Sequence, residues 1–60
     1  MNDSLPLDPF MLLSAINMKL RNDFPTLDEL CATMGLDRPT LESKLATVGC
    51  EYNEELNKFW

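Results

Sequence analysis

The sequence predicts a mainly α domain: three helices followed by a short C-terminal β-hairpin. Two observations carry the helices. Capping residues precede three stretches of helical apolar spacing, and the two glycines of the 60-residue chain fall just after the second and third of them. One observation carries the hairpin: the last eleven residues set aromatics on either side of an asparagine-rich stretch.

Residues 1–7 read as an N-terminal arm and residues 8–60 as one small domain. Asp8 is the expected N-cap of the first helix, with Pro9 at its first position, where a missing N–H costs nothing. This helix is expected over Pro9 to Asn22, ending before Pro25, because the residue ahead of a proline disfavours the helical region. Thr26 with Glu29 three residues later forms a capping-box pattern for a second helix reaching Met34, stopped by Gly35. Leu27, Leu30, Cys31 and Met34 give it one apolar stripe. Asp37 caps a third helix, with Pro39 in its first turn and Leu41, Leu45 and Val48 inward, expected to reach Val48 before Gly49 ends it. Leu36 plugs the turn between these two helices. For the tail, a hairpin turning near Asn53 to Asn57 is preferred over a fourth helical turn.

The composition excludes several function classes. Ten acids against five bases give a formal net charge of −5, with 45% hydrophobic and 25% charged residues. That balance describes a globular chain and argues against one that coats nucleic acid or an anionic membrane. No histidine is present, so imidazole-dependent triads and His-ligated zinc are ruled out, and two cysteines alone do not complete a zinc site. No metal, cofactor or catalytic residue is expected. The acid pairs Asp28-Glu29 and Glu54-Glu55 read as a helix first turn and a chain turn, not as acid/base machinery. The N-terminus lacks the basic region of a secretory signal, and the longest uninterrupted apolar run, Phe10 to Leu13, is far short of a membrane span. A cytoplasmic protein with reduced thiols is the expectation, with Cys31 as a small core hydrophobe.

The stretch Thr26–Gly49, TLDELCATMGLDRPTLESKLATVG, preceded by a supporting helix and followed by a hairpin, resembles a winged helix-turn-helix. At a finer level DPFMLLSAINMKLR (Asp8 to Arg21), LDELC (Leu27 to Cys31) and EYNEELNKF (Glu51 to Phe59) resemble the bacterial family known as domain of unknown function 4250. The likeness covers nearly the whole chain. It implies a bacterial source and a free-standing small protein, and brings no activity or site residues with it.

The helix-turn-helix likeness raises DNA binding, and charge argues against it. Thr26–Gly49 holds four acids against two bases, and Glu51–Trp60 three against one. DNA affinity begins with neutralised phosphates. With Leu41 and Leu45 inward, the outer face of the third helix offers no arginine to a guanine edge. A weak or partner-assisted DNA-binding regulator remains the alternative function, with Lys19, Arg21, Arg38 and Lys44 as candidate contacts.

The first helix points elsewhere. Leu12, Leu13, Ile16 and Leu20 share one face, and Met11, Ala15 and Met18 lie nearly opposite. Two apolar sides require two covers. Either the arm (Leu5, Leu7) or the tail aromatics (Tyr52, Phe59, Trp60) cover the methionine face within the chain, or that face binds a partner. Flexible thioethers suit adaptable interfaces. The leading expectation is a protein-interaction module, self-associating or bound to another protein, with Met11, Met18, Phe59 and Trp60 as interface candidates. Asn17, between the two stripes, is expected to bond a backbone edge such as the hairpin strand. Lys19 and Arg21 read as a solvated face.

Overall fold

A computed structural model describes residues 5–60. Its elements follow in the order α1 (Pro9–Asn22), α2 (Leu27–Met34), α3 (Arg38–Ala46), β1 (Tyr52–Asn53) and β2 (Lys58–Phe59). The two strands form an antiparallel hairpin with Tyr52 opposite Phe59 and Asn53 opposite Lys58. Of the arm expected over residues 1–7, the first four lie outside the described residues. Leu5 packs on the core and Leu7 is 89% exposed.

Each helix starts on its expected cap. Asp8 Oδ1 accepts from the Phe10 and Met11 amides at 2.8 and 3.3 Å. Thr26 Oγ1 accepts from the Glu29 amide at 3.1 Å. Only this half of the capping box is made among the described residues. Asp37 accepts from the Thr40 amide at 3.2 Å and from its hydroxyl at 2.6 Å.

The stops differ more. Gly35 is left-handed, with φ of 69°, and the Leu36 amide reaches back to the Cys31 carbonyl. The third helix ends at Ala46, not at Val48 as expected. The Thr47 hydroxyl donates to the Lys44 carbonyl at 2.6 Å, and the Thr47, Val48 and Gly49 amides each bond three residues back. The chain tightens before Gly49, with φ of 76°, turns it away. The first helix ends without a left-handed residue: Asp23 and Phe24 amides both donate to the Lys19 carbonyl.

The core consists of Leu12, Ile16 and Leu20 from α1, Leu27, Leu30 and Cys31 from α2, Leu41 and Leu45 from α3, and Phe59 from β2. Each large side chain so buried contributes about 1.5–3 kcal/mol. Leu36 is half-buried at the α2–α3 turn, as the sequence predicts, and packs on this cluster together with Tyr52. The ring of Tyr52 lies 5.5 Å from that of Phe59. Helix α1 contacts α2, α3 and β2, so it is the element on which the rest assembles.

Two asparagines weld the hairpin to α1. The Glu51 and Trp60 backbones exchange both hydrogen bonds, so the neighbouring Tyr52–Phe59 pair is a non-bonded one and the Phe59 N–H and C=O point outward. Asn17 meets both. Its Nδ2 donates to the Phe59 carbonyl at 2.9 Å and its Oδ1 accepts from the Phe59 amide at 2.8 Å. One side-chain amide thus stands in for a third strand along this edge. Asn57, left-handed at φ of 53°, donates to the Leu20 and Phe24 carbonyls at 3.0 Å each. Its Oδ1 accepts from the Tyr52 hydroxyl at 2.7 Å, and that hydroxyl oxygen accepts from the Leu27 amide at 3.2 Å. The end of α1, the start of α2 and the hairpin turn meet in this one network. Asn53 holds the turn from the other side, accepting from the Leu56 amide at 2.9 Å.

Candidate interaction surface

With the leucine face of α1 turned inward, its other apolar face has no cover among the described residues. Met11 is 62% exposed and Met18 63%. Neither expected cover reaches them. Tyr52 and Phe59 pack on the buried leucine side, Leu5 joins the core cluster, and Leu7 points to solvent. Phe10 is also exposed, and Ser14 separates it from Met18 at helical spacing on this outer side.

Beside this face runs an open groove between α1 and the hairpin turn. Leu13, Met18 and Leu56 supply its apolar surface, and Arg21 and Lys58 its charges. The asparagines that border it, Asn17 and Asn57, already have backbone partners and are structural. Trp60 is exposed, with the Lys58 ammonium 5.2 Å from its ring. Helix α1 carries two bases and no acid from Pro9 to Asn22, in a chain of net charge −5. The outer face is therefore both apolar and free of carboxylates.

The candidate interface residues divide. Met11, Met18 and Trp60 are on the surface. Phe59 is 1% exposed, a core residue, and the expectation that places it at an interface is corrected. Strand alternation explains the split: the side chains of the adjacent Phe59 and Trp60 leave opposite sides of the chain, and the Phe59 side meets the core. Sequence reasoning missed Phe10 and Leu56. The i, i+4, i+8 spacing of Phe10, Ser14 and Met18 would have found the first. Leu56 lies in the turn, where no periodicity marks it.

The candidate nucleic-acid contacts divide too. Arg38 is not free for a phosphate. Its Nη1 donates to Asp28 at 2.7 Å and its Nε to Glu42 at 3.4 Å, and its guanidinium lies 5.4 Å from the Tyr52 ring centre. The Asp28 hydrogen bond makes this guanidinium harder still to deprotonate. Lys19, Arg21 and Lys44 form no ion pair among the described residues. Lys19 and Arg21 stand on α1 and Lys44 on the last turn of α3.

Both cysteines are free thiols. Burial pushes the Cys31 thiol up from its ordinary value of 9.0; Asp28, Glu42 and Asp37 add to the rise and Arg38 opposes it. A thiol held protonated in a core is a poor nucleophile. No group of three or more metal-ligating side chains occurs among the described residues, and no described helix is long and apolar enough to cross a membrane.

The fold and surface define a class: a mainly α domain that leaves an apolar, acid-free face on its central helix. Comparison with protein families gives the particular assignment. Residues 6–59 match the family described as domain of unknown function (DUF4250), and the chain belongs to it. Neither the curated proteins nor the solved structures yield a match.

Proposed function

We propose that this protein is a small, non-catalytic interaction module that binds another polypeptide through the outer face of α1 and the groove beside the hairpin turn. The observation that carries this reading is the exposure of Met11 and Met18 opposite a complete core. Tyr52 and Phe59 are committed to the core side of the hairpin, and Leu5 packs on the core cluster. Large exposed apolar patches mark interaction sites. The methionine thioether adapts to varied partner shapes.

A tagged pull-down at high salt, with and without nuclease, tests the proposal. An apolar contact survives both treatments, whereas phosphate contacts fail in salt. Met18→Glu should abolish capture while helical circular dichroism is retained. Recovery lost on nuclease treatment, and indifferent to Met18→Glu, would overturn the proposal in favour of nucleic-acid contact through Lys19, Arg21 and Lys44.

A further inference from the structure

We propose that the outer edge of β1 takes up, as a third strand, a short extended peptide of another protein that carries lysine or arginine at alternate positions. This surface is separate from the α1 face. The groove beside it shares no lining residue with the groove at the hairpin turn.

The ladder between the two strands defines the edge. Glu51 and Trp60 exchange both hydrogen bonds, so Tyr52 and Phe59 face each other at a non-bonded position. Both residues therefore turn their backbone N–H and C=O away from the opposite strand. On the β2 side the Asn17 amide meets the Phe59 groups. On the β1 side the Tyr52 N–H and C=O have no hydrogen-bond partner among the described residues, and the bonds of this tyrosine run through its hydroxyl. One edge of the hairpin is closed by a side chain, and the other is a template for main-chain pairing. The neighbours fix its length. The Cys50 amide is taken by the Leu45 carbonyl, and the Leu56 amide by the Asn53 side chain. Pairing is thus centred on Tyr52 and spans about three residues.

Charge names the occupant. An open groove separates this edge from the Pro39, Glu42 and Ala46 side of α3. Glu42 and Glu51 line it, and no described base does. Arg38, over the Tyr52 ring, offsets part of the Glu42 charge, whereas Glu51 forms no ion pair among the described residues. Lys44 stands on the other flank of α3 by helical spacing. In an added strand the residue opposite Glu51 lies beside it on the same face, where a lysine or arginine gains a cross-strand ion pair. The residue opposite Tyr52 turns to the other face, toward the apolar Pro39 and Ala46. A second copy would instead set Glu51 and Glu54 of two chains of net charge −5 on one sheet, where like charges repel.

Amide exchange and chemical shifts of the full chain, with and without acetyl-Lys-Val-Lys-Val-Lys-amide, test the proposal. In the free chain the Tyr52 amide should exchange fast while Phe59, held by Asn17, exchanges slowly. Saturating peptide should slow Tyr52 exchange by about tenfold or more. Glu51→Lys should raise the peptide Kd about fivefold or more. Glu55→Lys, an equal change of charge in the hairpin turn, should leave it within about twofold at physiological salt. The same peptide methylated on both valine nitrogens offers no N–H to the Tyr52 carbonyl and should bind about tenfold more weakly or worse. Met18→Glu should leave peptide binding unchanged, and loss of binding there would overturn the separation of the two surfaces. Slow Tyr52 exchange in the free monomer would overturn the open edge. Equal binding of the methylated peptide would overturn strand addition and leave charge attraction alone. Equal binding of acetyl-Glu-Val-Glu-Val-Glu-amide would overturn the basic partner. Tyr52 protection that rises with protein concentration, with no peptide present, would overturn the foreign strand in favour of a second copy.

Discussion

Replacing Asn17 by alanine should uncouple the hairpin from α1, and the cost follows from two bonds. The Asn17 amide satisfies the Phe59 N–H at 2.8 Å and the Phe59 carbonyl at 2.9 Å, both part-buried. Losing two such bonds and leaving both backbone groups short of partners costs about 2–3 kcal/mol. A domain of this length has about 3–9 kcal/mol of stability in all. The midpoint of thermal unfolding should fall by about 15–25 °C. Urea unfolding followed by helical circular dichroism and by Trp60 fluorescence measures the loss. Amide exchange at Phe59 reports the bond itself, slow in the native chain and fast in Asn17→Ala. Asn17→Asp refines the test, because it keeps the acceptor for the Phe59 amide and sets a carboxylate against the Phe59 carbonyl. Only the protonated acid can donate there, so the folded state raises this group's pKa. The stabilisation is present below the ordinary Asp value, about 3.9, and lost as pH rises through the folded value, making the variant more stable in acid than at neutral pH. A loss below about 0.5 kcal/mol in Asn17→Ala, or unchanged exchange at Phe59, would refute the claim that this side chain acts as a strand.

Other substitutions probe the remaining joints. Tyr52→Phe removes the hydroxyl between the Leu27 amide and Asn57, and should cost about 1–2 kcal/mol in urea unfolding. Phe59→Ala empties the core of its one aromatic. At about 3–5 kcal/mol it should leave the chain largely unfolded by circular dichroism, in contrast to Met18→Glu. Gly35→Ala meets no neighbouring atom but forces alanine to φ of 69°, and should cost about 1 kcal/mol in thermal unfolding. The thiols should separate kinetically, Cys50 reacting with a disulfide reagent in the folded chain and Cys31 only through opening. Because the folded state raises the Cys31 pKa above 9.0, the unfolded chain loses that proton first. Stability present below about pH 9 should decline above it, with a shallower decline in Cys31→Ala.

Much of the site was legible as a question and not as an answer. The two apolar faces of α1 are plain at 100° per residue, and Met11 and Met18 follow from them. Which face the chain buries is not written in the helix itself. It depends on what α2, α3 and β2 present, and their largest apolar residues, Leu27, Leu30, Leu45 and Phe59, close on Leu12, Ile16 and Leu20. Phe59 illustrates the same limit. Its apolar character suits a core or an interface equally, and the leucines of three helices, distant in sequence, bury it.

The sequence by itself determined the helix starts, the glycine stop of α2 and the hairpin turn. Each is decided within about five residues: Asp8, Thr26 and Asp37 bond amides two or three positions on, and Gly35 adopts a left-handed turn at little cost. Even the early end of α3 is local, since the Thr47 hydroxyl bonds a carbonyl three residues back. Only the tertiary structure decided that Asn17 and Asn57 weld the hairpin to α1, that Arg38 is bound by Asp28 and Glu42, and that the methionine face is left open. Those outcomes join groups many residues apart, and burial goes to the surfaces that pack best together, which no single segment specifies.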